Sequence, residues 1–207
     1  DIEELGPINM GAIEEYDRIS ERFIFLSEQQ TDLLSARGNL LNTMNEMDDE
    51  VRLRFKETFI QIKKQFEKTF PKLFGGGKAT LELTDPNDLL ETGIEIVAQP
   101  KGKKLQQLSL LSGGEKAFTA IALLFAIIEV KPVPFCILDE VEAALDEANV
   151  SRFGKYLAAS TELTQFIVIT HRKGTMEEAD ALYGVTMQDS GVSRLASVKF
   201  EDYEDIG

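Results

Sequence analysis

Four short strings hold residues whose types and spacing could do chemistry. Leu111-Ser112-Gly113-Gly114-Glu115-Lys116 stands directly before an apolar stretch. Two glycines at a helix start leave backbone N–H groups bare, with the helix dipole behind them. Such a turn binds anions, and the Ser112 hydroxyl adds a donor. The commoner use of a Ser-Gly-Gly-Glu turn is a plain N-cap, and both readings stay open. Phe135-Cys136-Ile137-Leu138-Asp139-Glu140 reads as a buried strand that delivers two carboxylates at its C-terminal end, where α/β sheets bind ligands. A Glu there can polarise an attacking water, or the two acids can simply cap the next helix. Ala143-Ala144-Leu145-Asp146 follows, and Thr170-His171 closes the next apolar strand. His171 is the only histidine. A lone His at a strand end is commonly structural. Here its strand would lie beside the one carrying Asp139, which puts the imidazole within reach of a γ-phosphate.

These strings need elements to position them. From Leu105 onward the pattern is α/β. An apolar helix follows Gly114, the strand Phe135 to Leu138 follows Pro132 and Pro134, a helix spans roughly Ala148 to Ala159, and a second apolar strand covers Phe166 to Ile169. Short, uniformly apolar strands alternating with helices predict a parallel sheet covered on both faces. Ahead of this, Gly75-Gly76-Gly77 marks a tight turn. Ala79 to Leu83 and Gly93 to Ala98 alternate apolar and polar around Asp85-Pro86-Asn87, which predicts antiparallel strands. Gly184 to Phe200 reads as further short strands. Before Phe70 the chain is of another kind. Tyr16, Ile19, Phe23, Leu26, Gln30, Leu33, Arg37, Leu40, Met44, Met47 and Val51 follow steps of three and four without a slip, and nine of these eleven are apolar. That is a heptad seam. The register shifts after Val51, before Phe55, Phe59, Ile62, Phe66 and Phe70. One amphipathic helix cannot bury its own seam, so a partner helix is expected. Gly38 and Asn39 could break the helix into a hairpin. The expected division is 1–70, a coiled-coil segment, and 71–207, an α/β lobe.

Composition sets limits. With 36 acidic against 22 basic side chains the formal net charge is -14, which argues against wholesale wrapping of nucleic acid. Lys101, Lys103 and Lys104 are the densest small basic group, read as a solvated loop. Cys136 is the only cysteine, so no disulfide forms within the chain, and a reducing cytosol is expected. No stretch reaches the roughly 18 apolar residues of a membrane span. A first residue of Asp1 and the lack of a leader suggest a piece of a longer polypeptide.

Taken in order on one strand-helix-strand pattern, the strings "LSLLSGGEKAFTAIALLFAIIEVKPVPFCILDEVEAALDEANVSRF" and "QFIVITHRKGTMEEADALYGVTMQDSGVSRL" resemble the C-terminal half of an ATP-binding-cassette ATPase head. More narrowly, the chain resembles a bacterial structural-maintenance-of-chromosomes (SMC) protein. Transporter ATPases typically read DEPTSALD where this chain reads DEVEAALDE, and eukaryotic SMC relatives usually lack the histidine of "ITHRKGTMEEAD". Glu142 stands where many SMC proteins have Asp, a small departure expected to have little consequence. The heptads fit too, since the SMC coiled coil returns into the head just ahead of this lobe. A G-x-x-x-x-G-K-[ST] phosphate loop is missing. Its one candidate, Gly77-Lys78, is followed by Ala79 and has Lys72 in the first glycine's place.

The resemblance implies an ABC-type α/β head lobe behind a coiled-coil helix. ATP and Mg²⁺ would sit on an N-terminal lobe of the same protein. Asp139 would complete the metal site, Glu140 would be the general base and His171 would touch the γ-phosphate. Ser112, Gly113 and Gly114 would face ATP held by a second SMC head, and Asp146 would couple the two sites. Further implications are a kleisin subunit as partner, DNA bound through the full complex, no membrane, and a cytoplasmic, nucleoid-associated setting. Two other readings are an isolated kleisin-docking module and the head of a related DNA-repair ATPase.

Overall fold

The computed structural model describes residues 11–189 and 191–199. Its elements in chain order are α1 (Ala12–Phe74), β1 (Lys78–Leu83), β2 (Ile94–Gln99), β3 (Gln106–Gln107), a 3-10 turn (Leu108–Leu110), α2 (Gly113–Val130), β4 (Phe135–Asp139), α3 (Glu147–Ala158), β5 (Gln165–Ile169), α4 (Lys173–Met176), β6 (Ala181–Asp189) and β7 (Val192–Lys199). Two units emerge, Asp1–Arg54 and Phe55–Gly207.

In the first unit every described residue from Ala12 on belongs to α1. No hairpin forms at Gly38 or Asn39. An interior glycine costs a helix only about 1 kcal/mol relative to alanine, less than breaking it would. The seam is exposed: Phe23 and Leu33 each keep 70% of their surface, and Ile19, Leu40, Met44 and Met47 are also open. The surface ion pairs Asp49–Arg52 and Glu50–Arg54 have helical spacing. Each such pair adds only about 0.2–0.5 kcal/mol.

The second unit holds the core. The end of α1 is buried through Phe66, Phe70, Leu73 and Phe74. Phe70 stacks on Phe74 at 4.1 Å, and Phe74 meets Phe118 of α2 at 4.7 Å. Phe125 touches Phe153, Tyr156 and Phe166. Truncating such a ring to alanine costs about 3–5 kcal/mol. A polar knot ties three helices beside these rings. Gln65 and Tyr156 both donate to the Glu129 carboxylate, and Thr69 donates to it at 3.4 Å. Burial, reinforced by the Glu129 contact, pushes the Tyr156 phenol well above its ordinary value.

The helix stops at the expected glycine turn. Gly75 takes φ +66° and the Gly76 N–H donates to the Pro71 carbonyl at 2.9 Å. This is a Schellman closure. At Gly77 a Cβ would sit 2.3 Å from the Gln99 carbonyl, so only glycine fits where β1 starts beside β2.

β1 and β2 pair antiparallel from Lys78↔Gln99 to Leu83↔Ile94, as expected, with β3 on the far side of β2. β6 and β7 form an antiparallel hairpin; Phe200 lies outside the described residues. Among the described residues parallel pairing is confined to β4 and β5, in register from Phe135↔Gln165 to Asp139↔Ile169. Only this pair is joined by a long crossover through a helix, α3, which a parallel return requires. The predicted cover on both faces is not there among the described residues. Cys136, Leu138, Phe166 and Val168 pack on the core, whereas Phe135, Ile137, Ile167 and Ile169 are exposed. Successive strand residues point to opposite faces, and among the described residues the helices reach only one of them.

Candidate nucleotide-facing site

Two constellations form at the ends of these elements. The first lies at the C-terminal edge of β4 and β5. Asp139 is the last residue of β4, opposite Ile169, and is exposed. Glu140 adopts φ +47° and is the only described non-glycine residue with a positive φ. A side chain in this left-handed region costs about 1–2 kcal/mol, so its surroundings must hold it there. Its N–H donates to the Ile169 carbonyl at 2.9 Å, and its carbonyl accepts from the Ala143 N–H at 3.1 Å. The turn swings the carboxylate toward the neighbouring loop, and Glu140 Oε1 lies 3.4 Å from His171 Nδ1. Both side chains are largely open to solvent.

The second constellation surrounds the start of α2. Ser112 is the N-cap, with Glu115 completing a capping box. The Ser112 N–H and hydroxyl donate to Glu115 Oε2 at 3.1 and 2.7 Å. Lys103 closes on the same carboxylate at 2.8 Å. Lys103 holds the Glu115 carboxyl below its ordinary value; partial burial opposes it, and the Ser112 contacts reinforce it. The basic loop is therefore exposed as expected, yet one of its lysines is committed to the serine turn.

Gly114 faces the loop that follows β4. A Cβ there would stand 2.9 Å from the Ala144 carbonyl oxygen, so the close approach demands glycine. For Gly113, by contrast, a Cβ would meet nothing within 4 Å. Asp146 caps α3, its Oδ1 accepting from the Asn149 N–H at 2.8 Å. Ser112, Gly114, Glu115, Ala144 and Asp146 line one cleft of ≈ 460 Å³, with Lys101, Asn149 and Arg152 on its walls. The structure thus brings Ser112, Gly114 and Asp146 together, and separately Glu140 and His171 beyond Asp139.

Between the two constellations lies Glu142, which the sequence marks only as a small departure of little expected consequence. Glu142 keeps only 1% of its surface. Its Oε1 accepts from Thr170 Oγ1 and, at 3.1 Å, from Thr175 Oγ1. Arg172 reaches back the other way, to the Leu145 carbonyl at 3.1 Å and the Glu147 carboxylate at 2.9 Å. An acid set among Val141, Ala143 and Ala144, three residues after Asp139, was the available sign.

Mg²⁺ fits this setting on one condition. Among the described residues no group of three or more His, Cys, Asp or Glu could hold a metal by itself. Mg²⁺ is ordinarily bound by one or two carboxylates together with substrate phosphates and water. Asp139, a hard oxygen donor exposed at a strand end, suits that division.

The family described as RecF/RecN/SMC N terminal domain matches residues 17–194. The chain is 64% identical over 205 residues to the Chromosome partition protein Smc of Bacillus subtilis (strain 168), covering 99% of this chain and 17% of that protein. The chain thus spans about a sixth of that relative's length. The Smc head domain with an extended coiled coil from Pyrococcus furiosus, bound to the C-terminal domain of ScpA, superposes with a TM-score of 0.72 at 38% identity, covering 94% of this chain and 49% of that one. A chain from a structural study of ATP-driven dimerization and DNA-stimulated activation of SMC ATPases gives 0.67 at 43% identity, covering 72% of this chain and 91% of that one. An α/β body behind a long helix, with this sequence likeness along nearly its whole length, places the chain in the RecF/RecN/SMC family, among its SMC proteins.

Proposed function

We propose that the chain is the C-terminal lobe of an SMC ATPase head with its adjoining coiled-coil segment, acting in chromosome condensation and segregation. The observation that carries this reading is the strained Glu140 with His171 3.4 Å away, at the strand ends where an α/β sheet presents catalytic groups. The relatives' names support it: one is a chromosome partition protein, and others are SMC ATPases and Smc heads.

In this reading ATP is held mainly by an N-terminal lobe, since the phosphate loop is missing from these residues. Asp139 would ligate Mg²⁺, which neutralises phosphate charge when bound. Glu140 orients and deprotonates the attacking water, and His171 donates to the γ-phosphate. The Ser112 hydroxyl and the bare amides of Gly113 and Gly114 meet the triphosphate held by a second head. Asp146, which shares the Ser112 cleft, joins the two sites. ATP then bridges heads, and hydrolysis lets them part. On its own the chain is expected to be inactive.

The test is Glu140→Gln in the complete protein. ATP-driven head association should persist while turnover falls by about two orders of magnitude or more, the range for a lost general base. Turnover close to wild type would sink the assignment. A docking role for a kleisin subunit is compatible, since the Pyrococcus furiosus head was solved bound to ScpA. Mixing this chain with a separate N-terminal lobe distinguishes the two roles: ATPase activity should appear only on complementation, whereas kleisin binding should not need it.

A further inference from the structure

Glu142 has no part in the chemistry just described, yet among the described residues it is the one carboxylate in the set of large, fully buried side chains. Burying a carboxylate is costly, and it is repaid only when hydrogen bonds satisfy it. Here one oxygen takes both threonine hydroxyls, and Oε2 has no protein partner. Apolar residues of similar volume often replace buried ionic groups with no loss of stability. The gain from Glu142 therefore lies elsewhere, in what its bonds connect.

They connect the two loops that carry the reacting groups. Glu142 belongs to the loop between β4 and α3, two residues after Glu140 and four before Asp146. Thr170 opens the loop between β5 and α4, His171 follows it, and Thr175 lies within α4. Thr170 Oγ1 donates to Glu142 and accepts the Arg172 N–H at 3.0 Å. Arg172 in turn grips Leu145 on the first loop and Glu147 at the start of α3. His171 is 67% exposed, and among the described residues its one polar side-chain contact is the 3.4 Å approach to Glu140. Its place is set by its neighbours on either side, Thr170 and Arg172, and both are tied to the Glu140 loop.

We infer that Glu142 is a positioning residue: through Thr170 and Thr175 it fixes the separation of His171 and Glu140, and so sets the hydrolysis rate without touching nucleotide. This rests on the ATPase reading above. A misplacement of about 1 Å can cost on the order of 100-fold in rate, which is the scale at stake.

The experiment uses the complete SMC protein and measures kcat, ATP affinity and ATP-dependent head association side by side. Glu142→Leu should lower kcat by about 10- to 100-fold, with ATP affinity and head association within about twofold of wild type. Glu142→Gln keeps a carbonyl oxygen facing both threonines and should return kcat to within about threefold of wild type. Thr170→Val should lower kcat in the same direction, and adding it to Glu142→Leu should cost little more, because both remove one link. Wild-type kcat in Glu142→Leu, parallel loss of ATP binding and kcat, or full additivity with Thr170→Val would each overturn the inference. Should Glu142→Leu fail to fold, Thr170→Val decides alone, and unchanged kcat there is a refutation. Glu140→Gln is the control for the underlying reading. If it abolishes turnover while Glu142→Leu does not, only the positioning role fails; if it keeps turnover, the ATPase assignment fails and takes this inference with it.

Discussion

Glu140 Oε1 and His171 Nδ1 stand 3.4 Å apart, one on each of two loops that leave adjacent parallel strands in register. Neither side chain is buried, so their proximity comes from the backbone beneath them. The strand pair ends at Asp139↔Ile169, and the Glu140 N–H still reaches the Ile169 carbonyl one residue further on. The sheet effectively continues into the site.

The His171 imidazole should therefore matter to turnover more than to binding. His171→Ala in the complete protein is expected to lower kcat by about 10²–10³, as removal of a donor to developing charge does, while ATP-dependent head association survives. Single-turnover hydrolysis measured alongside sedimentation with ATP checks this; equal loss in both would assign His171 to binding instead.

Gly114 offers a steric test of the second constellation. Gly114→Ala puts a methyl 2.9 Å from the Ala144 backbone oxygen, which cannot swing aside as a side chain would. The α2 start and the Asp146 loop must separate. Head association should weaken by at least about tenfold, equivalent to about 1.4 kcal/mol, with ATP binding to the single head unchanged. Gly113→Ala, where a Cβ meets open space, is the control for steric effects within the chain. Sedimentation equilibrium with ATP is the measurement, and unaltered association in Gly114→Ala would show that the two loops need not touch.

The Lys103–Glu115 pair makes a pH prediction. Lys103 lowers the Glu115 carboxyl from its ordinary 4.5 in the folded state. A depressed carboxylate contributes stability that is present above the unfolded value and lost as pH falls through the folded one. Lys103→Met should therefore melt at a lower temperature than wild type near neutral pH, and the two curves should converge as pH drops below 4.5. Thermal unfolding between about pH 7 and pH 3 reads this out, and curves that stay parallel would mean the pair contributes nothing through Glu115.

Much of the scaffold was legible in the residues. The apolar runs at Phe135 and Phe166 became β4 and β5, and the alternation around Asp85-Pro86-Asn87 became an antiparallel pair. The positions of Asp139, Glu140 and His171 at strand ends followed from where those runs stop. Three things did not follow. The uninterrupted α1 overrode Gly38, because one weak residue cannot break a long helix. The exposed face of β4 and β5 was hidden, because an apolar run reports what a strand can bury, not which chain segment buries it. The contacts of Lys103, read as part of a solvated loop, and of Glu142, read as a small departure, did not show, because they depend on loops that meet only in three dimensions. Twelve residues separate Lys103 from Glu115, and 28 separate Glu142 from Thr170.

The open face of β4 and β5 also governs how the chain would behave in a tube. Phe135, Ile137, Ile167 and Ile169 form an oily patch on a particle that carries a formal charge of -14. At low ionic strength mutual repulsion keeps such particles apart. Added salt shortens the reach of that repulsion to about 10 Å at 0.1 M and about 3 Å at 1 M while leaving the oily contact intact. Purified alone, the polypeptide should tolerate dilute buffer and cloud in brine, a colloidal signature of a surface built to be covered.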